Sequence, residues 1–150
     1  MDSELAALYQ DVIIDHNKSP RNFRELEPPR READGYNPLC GDRLTVYLRV
    51  EDGHIREVTF QGSGCAISLA SASLMTEALK GKTVNEAQAL FTQMHALLTD
   101  RNGAEGDVEL GKLEALAGVR AYPSRVKCAT LAWHTLQSAL EGEHESITTE

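Results

Sequence analysis

Residues 37–60 read NPLCGDRLTVYLRVEDGHIREVTF and join a cysteine-bearing turn to two strand patterns. Over residues 44–50 apolar and polar residues alternate, which is the period of a strand with one buried face. A second alternation follows, and the Asp52-Gly53 dipeptide between the two suits the positive φ angles of a tight hairpin turn. The sequence therefore predicts an antiparallel hairpin over residues 43–61. Other elements must cover it, because a lone hairpin is marginal in water.

Helical periodicity flanks this hairpin on both sides. Residues 1–18 carry apolar residues at three- and four-residue spacing and predict an amphipathic N-terminal helix. Residues 65–141 predict further helices. The first is a helix from Cys65 to Lys80, and the next begins with a capping box of Thr83 and Glu86. A surface loop from Thr99 to Asp107 and a short helix from Glu109 to Ala117 follow. The last helix begins at Pro123 and Ser124.

Two segments lack clear periodicity. Residues 19–42 hold four of the five prolines and predict a long, surface-hugging loop that ends in the first candidate metal ligands. Residues 142–150 are acidic and polar and predict a frayed tail. With 150 residues and no internal repeat, we expect residues 1–150 to form a single domain that buries a core of its own.

The composition excludes several classes of protein. A net charge of -8 opposes the attraction to phosphate on which nucleic-acid binding depends. No apolar run is long enough to span a membrane, and the acidic start does not have the pattern of a targeting peptide. We therefore expect a cytoplasmic protein that binds neither nucleic acid nor membranes, and whose acidic surface helps it to meet protein partners.

The chemistry of the chain lies in its three cysteines, Cys40, Cys65 and Cys128, together with Asp42. Three cysteines cannot all pair, and a reducing compartment keeps them as thiols that are available to metal or to sulfur chemistry. Three sulfur ligands and one oxygen ligand suit a tetrahedral zinc ion, or the edge of an iron–sulfur cluster. Gly41 stands between Cys40 and Asp42 and permits the tight backbone path that would let both face one ion.

Cys65 and Cys128 are both predicted to lie at the start of a helix, where unpaired N–H groups and the helix dipole favour a thiolate. Arg125 and Lys127 act in the same direction on Cys128. Asp42 is the hardest donor and is the predicted labile ligand. A thiolate on a loop is the predicted group to leave the metal and attack.

Blander interpretations of the same residues stay open. The cysteines could be small buried apolar residues, or the zinc could be purely structural. The five histidines are interpreted as surface or packing residues: His16, His54, His95, His134 and His144. His16 is the strongest ligand candidate among them because it borders the long loop.

Three motifs in order resemble the U-type iron–sulfur cluster assembly proteins, the IscU/NifU N-terminal family. They are Cys-Gly-Asp at 40–42, the segment 64–73 with its Gly-Cys-Ala-Ile-Ser start, and Lys-Cys-Ala at 127–129. The likeness covers nearly the whole chain. It implies an α+β fold in which a small antiparallel sheet of about three strands packs against several helices.

Within that family the chain is most similar to the SufU branch, because Lys127 stands where the scaffold branch has a histidine and the stretch from Lys82 to Cys128 is long. That resemblance implies a zinc-dependent sulfurtransferase serving a SufS-type cysteine desulfurase and downstream iron–sulfur assembly proteins. The implied zinc ligands are Cys40, Asp42, Cys65 and Cys128, and Cys40 is the implied persulfide acceptor. In the family's mechanism a histidine of the desulfurase replaces Cys40 on zinc.

Two other functions stay open at this point. One is an IscU-type scaffold that binds iron and assembles a [2Fe–2S] cluster for transfer to acceptor proteins. The other is an inert adaptor that zinc holds in shape. The same four residues, with three soft donors and one hard donor, serve all three interpretations.

Overall fold

The computed structural model describes residues 3–27, 30–38, 41–99, 113, 116, 123–140 and 146–148. Its elements in chain order are α1 (Ser3–Lys18), β1 (Arg31–Asn37), β2 (Asp42–Glu51), β3 (His54–Ser63), α2 (Ala66–Leu79), α3 (Val84–Thr99), α4 (Pro123–Leu140) and β4 (Ser146–Thr148). None of these helices is both long and apolar enough to cross a lipid bilayer.

The strands form one sheet in the order β3-β2-β1-β4. β1, β2 and β3 pair antiparallel, whereas the short β4 pairs parallel to β1. At the turn between β2 and β3, Asp52 and Gly53 have φ angles of 52° and 75°, and positive φ at both central positions is what a type I′ turn requires. The predicted hairpin is confirmed, and so is the α+β class with a small antiparallel sheet.

Residues 31–37 form β1, which corrects the predicted loop over residues 19–42. The strand reads READGYN and has no alternation of large apolar side chains, so the sequence carries no strand signal there. Its inward-facing Gly35 lies close against α4, where an added Cβ would overlap Thr135 Oγ1 and lie 3.0 Å from Leu131 Cδ1. Packing against α4 thus stabilises a strand that the local sequence does not predict.

The predicted frayed tail over residues 142–150 is also corrected in part, because Ser146–Thr148 form β4. Gly35 of β1 is in register with Ile147. The edge of a strand presents unpaired N–H and C=O groups, and β1 offers such an edge to any segment that reaches it. Composition alone cannot show that this segment is the chain's own tail.

Part of the predicted helical region lies outside the described residues. This applies to the predicted loop after Thr99 and to the predicted helix over 109–117, in which only Leu113 and Leu116 are described, and both are buried. The other predicted helices are confirmed, with α1, α2, α3 and α4 beginning and ending close to the predicted positions.

The apolar core lies between the sheet and the helices. Leu44, Val46 and Leu48 alternate along β2 and are fully buried, as is Phe60 of β3, which is in register with Val46. Trp133 of α4 belongs to the same cluster. The period-two pattern of the sequence therefore reports the face that the helices cover.

Polar contacts join α2 to α4 inside this core. Ser71 Oγ donates a hydrogen bond to the carbonyl oxygen of Ala129 at 2.6 Å and accepts one from Trp133 Nε1 at 3.1 Å. Both partners are on α4, and all three groups are buried. The small side chain of Ser71 lets the helices approach while its hydroxyl satisfies two buried polar groups.

The same helix anchors the N-terminal segment. His16 of α1 is buried, with Nδ1 2.7 Å from Ser73 Oγ and Nε2 3.4 Å from Glu77 Oε1. The main-chain N–H of Arg21, just after α1, also donates to Ser73 Oγ at 2.8 Å. The end of α1 and the start of the segment that follows it are therefore held on α2.

Candidate metal centre

Asp42 occupies the first position of β2 and is completely buried. Its Oδ1 accepts a hydrogen bond from the main-chain N–H of Cys65 at 2.7 Å. Its Oδ2 accepts one from Nδ2 of Asn37 at 3.2 Å, across the last register pair of β1 and β2. Each carboxylate oxygen thus has a donor, as a buried carboxylate requires, and the group is held in one orientation.

Cys65 is the N-cap residue of α2 and has an extended backbone, with φ -73° and ψ 164°. Its side chain makes no capping hydrogen bond. Sγ lies instead 3.9 Å from Asp42 Oδ2, and the side chain is half-buried. The predicted position of Cys65 at the start of a helix is confirmed.

Cys128 is the sixth residue of α4, which begins at Pro123. The prediction that it lies at a helix start is therefore wrong, because the effect of a helix end fades beyond the first turn. Cys128 is only 1% exposed, and its Sγ accepts a hydrogen bond from Asn37 Nδ2 at 3.5 Å. Two cations of α4 are close to Cys128 in sequence: Arg125 is exposed and Lys127 is half-buried.

One oxygen of Asp42 and the sulfurs of Cys65 and Cys128 lie within 4.8 Å of one another. With Zn–S of about 2.3 Å and Zn–O of about 2.1 Å, tetrahedral zinc separates a sulfur and an oxygen ligand by about 3.5 Å. The 3.9 Å between Cys65 Sγ and Asp42 Oδ2 is close to that spacing. Two sulfurs and one oxygen leave one tetrahedral position for a fourth donor, so the set fits zinc and also fits cluster iron.

Gly64 allows β2 and α2 to meet at this point. Its φ is 156°. A Cβ added to it would overlap Asp42 Oδ1 and lie 2.9 Å from Asp42 Cα. Any side chain at position 64 must therefore displace either the start of β2 or the start of α2. The sequence marks this glycine only as the end of a strand.

Cys40, the fourth predicted ligand and the predicted sulfur acceptor, lies outside the described residues. It belongs in sequence to the connection 38–41 between β1 and β2. Gly41 in that connection has a φ of 71°, a left-handed backbone suited to a tight path. Two peptide units separate Cys40 from Asp42, which limits the distance between their Cα atoms to about 7 Å. That all four residues bind a metal stays a prediction.

Asn37 is the site residue that sequence reasoning missed. It is fully buried at the end of β1, and its amide contacts both Asp42 and Cys128. The sequence signal is weak, since it consists only of a polar residue three positions before Cys40. The two contacts depend on strand register and on the position of α4.

The histidines of the described part of the chain do not join this group of donors. His16 is buried between α1 and α2, and His54 is exposed at the hairpin turn. His95 and His134 face each other between α3 and α4, with ring centroids 6.2 Å apart. His144 lies outside the described residues.

Comparison with known proteins gives a family match over most of the chain. The family described as NifU-like N-terminal domain matches residues 8–141. The zinc-dependent sulfurtransferase SufU of Bacillus subtilis (strain 168) is 38% identical over 141 residues, which cover 94% of this chain and 95% of that protein. The iron–sulfur cluster assembly scaffold protein IscU of Streptococcus pyogenes serotype M1 is 39% identical over 142 residues, covering 93% of this chain and 86% of that protein.

The fold is also shared with solved structures. A structure from Fervidobacterium islandicum AW-1, described as an iron–sulfur cluster assembly scaffold protein for the SUF system, superposes with a TM-score of 0.80 at 34% identity. The match covers 93% of this chain and 99% of that one. Relatives named as a sulfurtransferase and as scaffolds are thus similar to the chain to almost the same degree.

Proposed function

This chain belongs to the family of NifU-like N-terminal domains, and on that basis we propose that it is a cytoplasmic zinc-dependent sulfurtransferase of iron–sulfur cluster assembly. Its sulfur donor is a SufS-type cysteine desulfurase. Its acceptor residue is Cys40, and the sulfur passes on to downstream assembly proteins. The similarity to the Bacillus subtilis sulfurtransferase over 94% of the chain supports this function.

One observation carries the proposal. Donor atoms of Asp42, Cys65 and Cys128 converge within 4.8 Å, and Asp42 stands two positions after Cys40 in the sequence. The three donor residues come from β2, the start of α2 and α4, which are far apart in sequence. Cysteines that merely filled an apolar core would have apolar neighbours, whereas the sulfurs of Cys65 and Cys128 lie beside a buried carboxylate.

Cys40, Asp42, Cys65 and Cys128 would hold the zinc ion. When bound, zinc keeps its thiol ligands in the thiolate form near neutral pH. The Asp42 carboxylate is a harder donor than the three sulfurs, so it is the ligand that binds zinc least strongly. Its position does not depend on the ion, because the main-chain N–H of Cys65 holds Oδ1 at 2.7 Å.

Cys40 acts as the nucleophile in sulfur transfer. Its thiolate attacks the outer sulfur of the persulfide on the desulfurase cysteine. A bond forms between Cys40 Sγ and that sulfur, the persulfide S–S bond breaks, and the desulfurase cysteine leaves as a thiolate. No oxidant is consumed, because the sulfur atom moves between two thiolates at one oxidation state. Its later release as sulfide needs two electrons, which a thiol reductant supplies by becoming a disulfide.

Sulfide release tests this function. The protein is mixed with a SufS-type desulfurase, cysteine and a thiol reductant, and the rate of sulfide formation is measured. We expect wild-type protein to accelerate turnover, the Cys40→Ala variant to abolish that acceleration, and the surface control Lys80→Ala to behave as wild type. Mass spectrometry locates the added sulfur on Cys40. Full acceleration by Cys40→Ala refutes the acceptor role.

Metal analysis tests the centre itself. We expect one zinc per chain, lost in Cys128→Ser and bound more weakly in Asp42→Ala. A lost thiolate removes a large share of a binding free energy that reaches about 10–16 kcal/mol in zinc-finger peptides. A normally folded, active protein without metal contradicts the assignment of these ligands.

The second candidate is an IscU-type scaffold that binds iron and builds a [2Fe–2S] cluster for transfer to acceptor proteins. The 39% identity to a protein named as such a scaffold favours it, and two cysteine sulfurs with one carboxylate oxygen suit cluster iron as well as zinc. Anaerobic incubation with iron and sulfide separates the two candidates. A stable visible cluster spectrum supports the scaffold, whereas retention of zinc with no cluster spectrum supports the sulfurtransferase.

A further inference from the structure

Asn37 connects two of the candidate ligands through a single amide group. Its Nδ2 lies 3.2 Å from Asp42 Oδ2 and 3.5 Å from Cys128 Sγ. The side chain is fully buried at the end of β1. An amide nitrogen carries two hydrogens, so it can donate to both acceptors at once.

We propose that Asn37 is the positioning residue of the metal centre, which holds the Asp42 carboxylate and the Cys128 thiolate in the arrangement that a tetrahedral ion needs. This inference rests on the proposed function in requiring a metal at the centre, and it does not depend on sulfur transfer. Asn37 itself binds no metal in this assignment, because its nitrogen is a donor in both contacts.

The carboxylate oxygen that Asn37 holds is the one directed at the sulfurs. Asp42 Oδ1 is occupied by the main-chain N–H of Cys65 at 2.7 Å. Oδ2 is the oxygen that lies 3.9 Å from Cys65 Sγ. Loss of the Asn37 amide would therefore leave Oδ1 anchored but allow the ligand oxygen to rotate.

Charge gives the amide a second role. The two thiolates and one carboxylate of the described donors exceed the charge of a divalent ion, and hydrogen bonds to charged groups are stronger than neutral ones. An amide disperses this charge without adding a charge of its own. Partners of this kind around a metal typically change its affinity by about 10- to 100-fold.

A purely structural role is the alternative, since Asn37 also ties β1 to β2 and to α4. The chain offers a matched control for that role. On the outer face of the same two strands, Thr45 Oγ1 donates to Asp34 Oδ1 at 2.7 Å. The Thr45→Val variant removes a hydrogen bond between β1 and β2 without touching the candidate ligands.

The test measures metal binding rather than activity. Competition with a coloured chelator measures the zinc affinity of four proteins: wild type, Asn37→Ala, Asn37→Ser and Thr45→Val. The same proteins are loaded with cobalt(II), whose absorption reports thiolate ligation and tetrahedral geometry. Thermal unfolding of the metal-free proteins measures the structural contribution separately. The serine variant retains one donor, and it also decides the test if Asn37→Ala fails to fold.

We expect Asn37→Ala to lose about 10- to 100-fold in zinc affinity and to show an altered cobalt spectrum, with partial recovery in Asn37→Ser and wild-type binding in Thr45→Val. The inference is overturned if Asn37→Ala has the zinc affinity and the cobalt spectrum of wild type. If Asn37→Ala does not fold, the same result in Asn37→Ser overturns it. So do equal affinity losses in Asn37→Ala and Thr45→Val, or a wild-type protein that binds neither ion. A wild type that binds zinc normally but fails in sulfide release refutes the sulfurtransferase function alone.

Discussion

The carboxylate of Asp42 lies 2.7 Å from the main-chain nitrogen of Cys65 and so joins the first residue of β2 to the N-cap of α2. A strand and a helix are thereby held together by a group that also faces two sulfurs. Stability and ligand geometry are coupled at this contact. Substitutions that displace it are expected to affect both.

Gly64→Ala is the most direct such substitution, because the added Cβ would lie 2.9 Å from Asp42 Cα. We expect the free energy of unfolding to fall by about 1–3 kcal/mol through overpacking, and zinc affinity to fall as Asp42 is displaced. Urea unfolding and chelator competition measure the two effects.

Gly81→Ala is the control for backbone strain. Gly81 has a φ of 86° and no heavy atom within 4 Å of an added Cβ, so this variant is expected to lose about 1–2 kcal/mol from strain while keeping its zinc affinity. Equal zinc affinity in the two variants would mean that Gly64 does not position Asp42.

Gly35→Ala should separate β1 from α4. The new Cβ would overlap Thr135 Oγ1, and we expect a loss of about 1–3 kcal/mol in the free energy of unfolding. Adding Thr135→Ala removes the overlapping oxygen and should restore part of that stability. A double-mutant cycle in urea measures the recovery. Simple additivity of the two substitutions would show that this overlap is not the cause.

His16 and Ser73 should behave as one unit that docks α1 on α2, since Nδ1 and Oγ are 2.7 Å apart and both residues are buried. We expect His16→Ala and Ser73→Ala each to lower the free energy of unfolding by about 1–3 kcal/mol, and the double variant to lose less than the sum. The exposed His54→Ala should change it by no more than about 0.5 kcal/mol. A strictly additive double variant would contradict the coupling.

His134, whose ring packs against that of His95, should make stability depend on pH. Burial lowers the pKa of His134, and the nearby His95 lowers this pKa further. The unfolded chain therefore binds the proton more tightly, so stability is complete above the unfolded pKa of about 6.5 and falls as pH drops through the lowered folded pKa. The contribution of one group cannot exceed about 1.4 kcal/mol per pH unit.

Comparison of wild type with His134→Phe measures this contribution, because the effect of pH on metal binding is common to both proteins. The free energy of unfolding, followed from about pH 7.5 to about pH 5, should fall less steeply in the variant. Identical slopes in wild type and His134→Phe would rule out the assignment.

Elements with local signals were predictable from the sequence. The capping box of Thr83 and Glu86 is one, with Glu86 Oε1 accepting from the Thr83 N–H at 3.0 Å and Thr83 Oγ1 accepting from the Glu86 N–H at 3.1 Å. The hydrogen bond from the Thr83 main-chain N–H to the Glu86 carboxylate is the main cause that lowers the pKa of Glu86. The β2–β3 hairpin is another, because alternation and the Asp52-Gly53 turn both act within a few residues.

Features that depend on distant packing were not predictable. β1 has no apolar alternation, and Gly35 lets α4 pack closely against it. Cys128 lies inside α4 rather than at its start. Its sulfur accepts a hydrogen bond from Asn37, which is 91 residues away in sequence. Such contacts leave no periodic pattern in the chain, since each involves one residue from each element.

The amino-acid sequence by itself determined which side chains can do chemistry, Cys40, Asp42, Cys65 and Cys128, and the local elements around them, because donor type and short-range periodicity are properties of the chain. Only the tertiary structure decided that Asp42, Cys65 and Cys128 share one centre and that Asn37 bridges two of them. Convergence of this kind depends on strand register and on the close approach of helices to the sheet, which are set by packing across the whole domain.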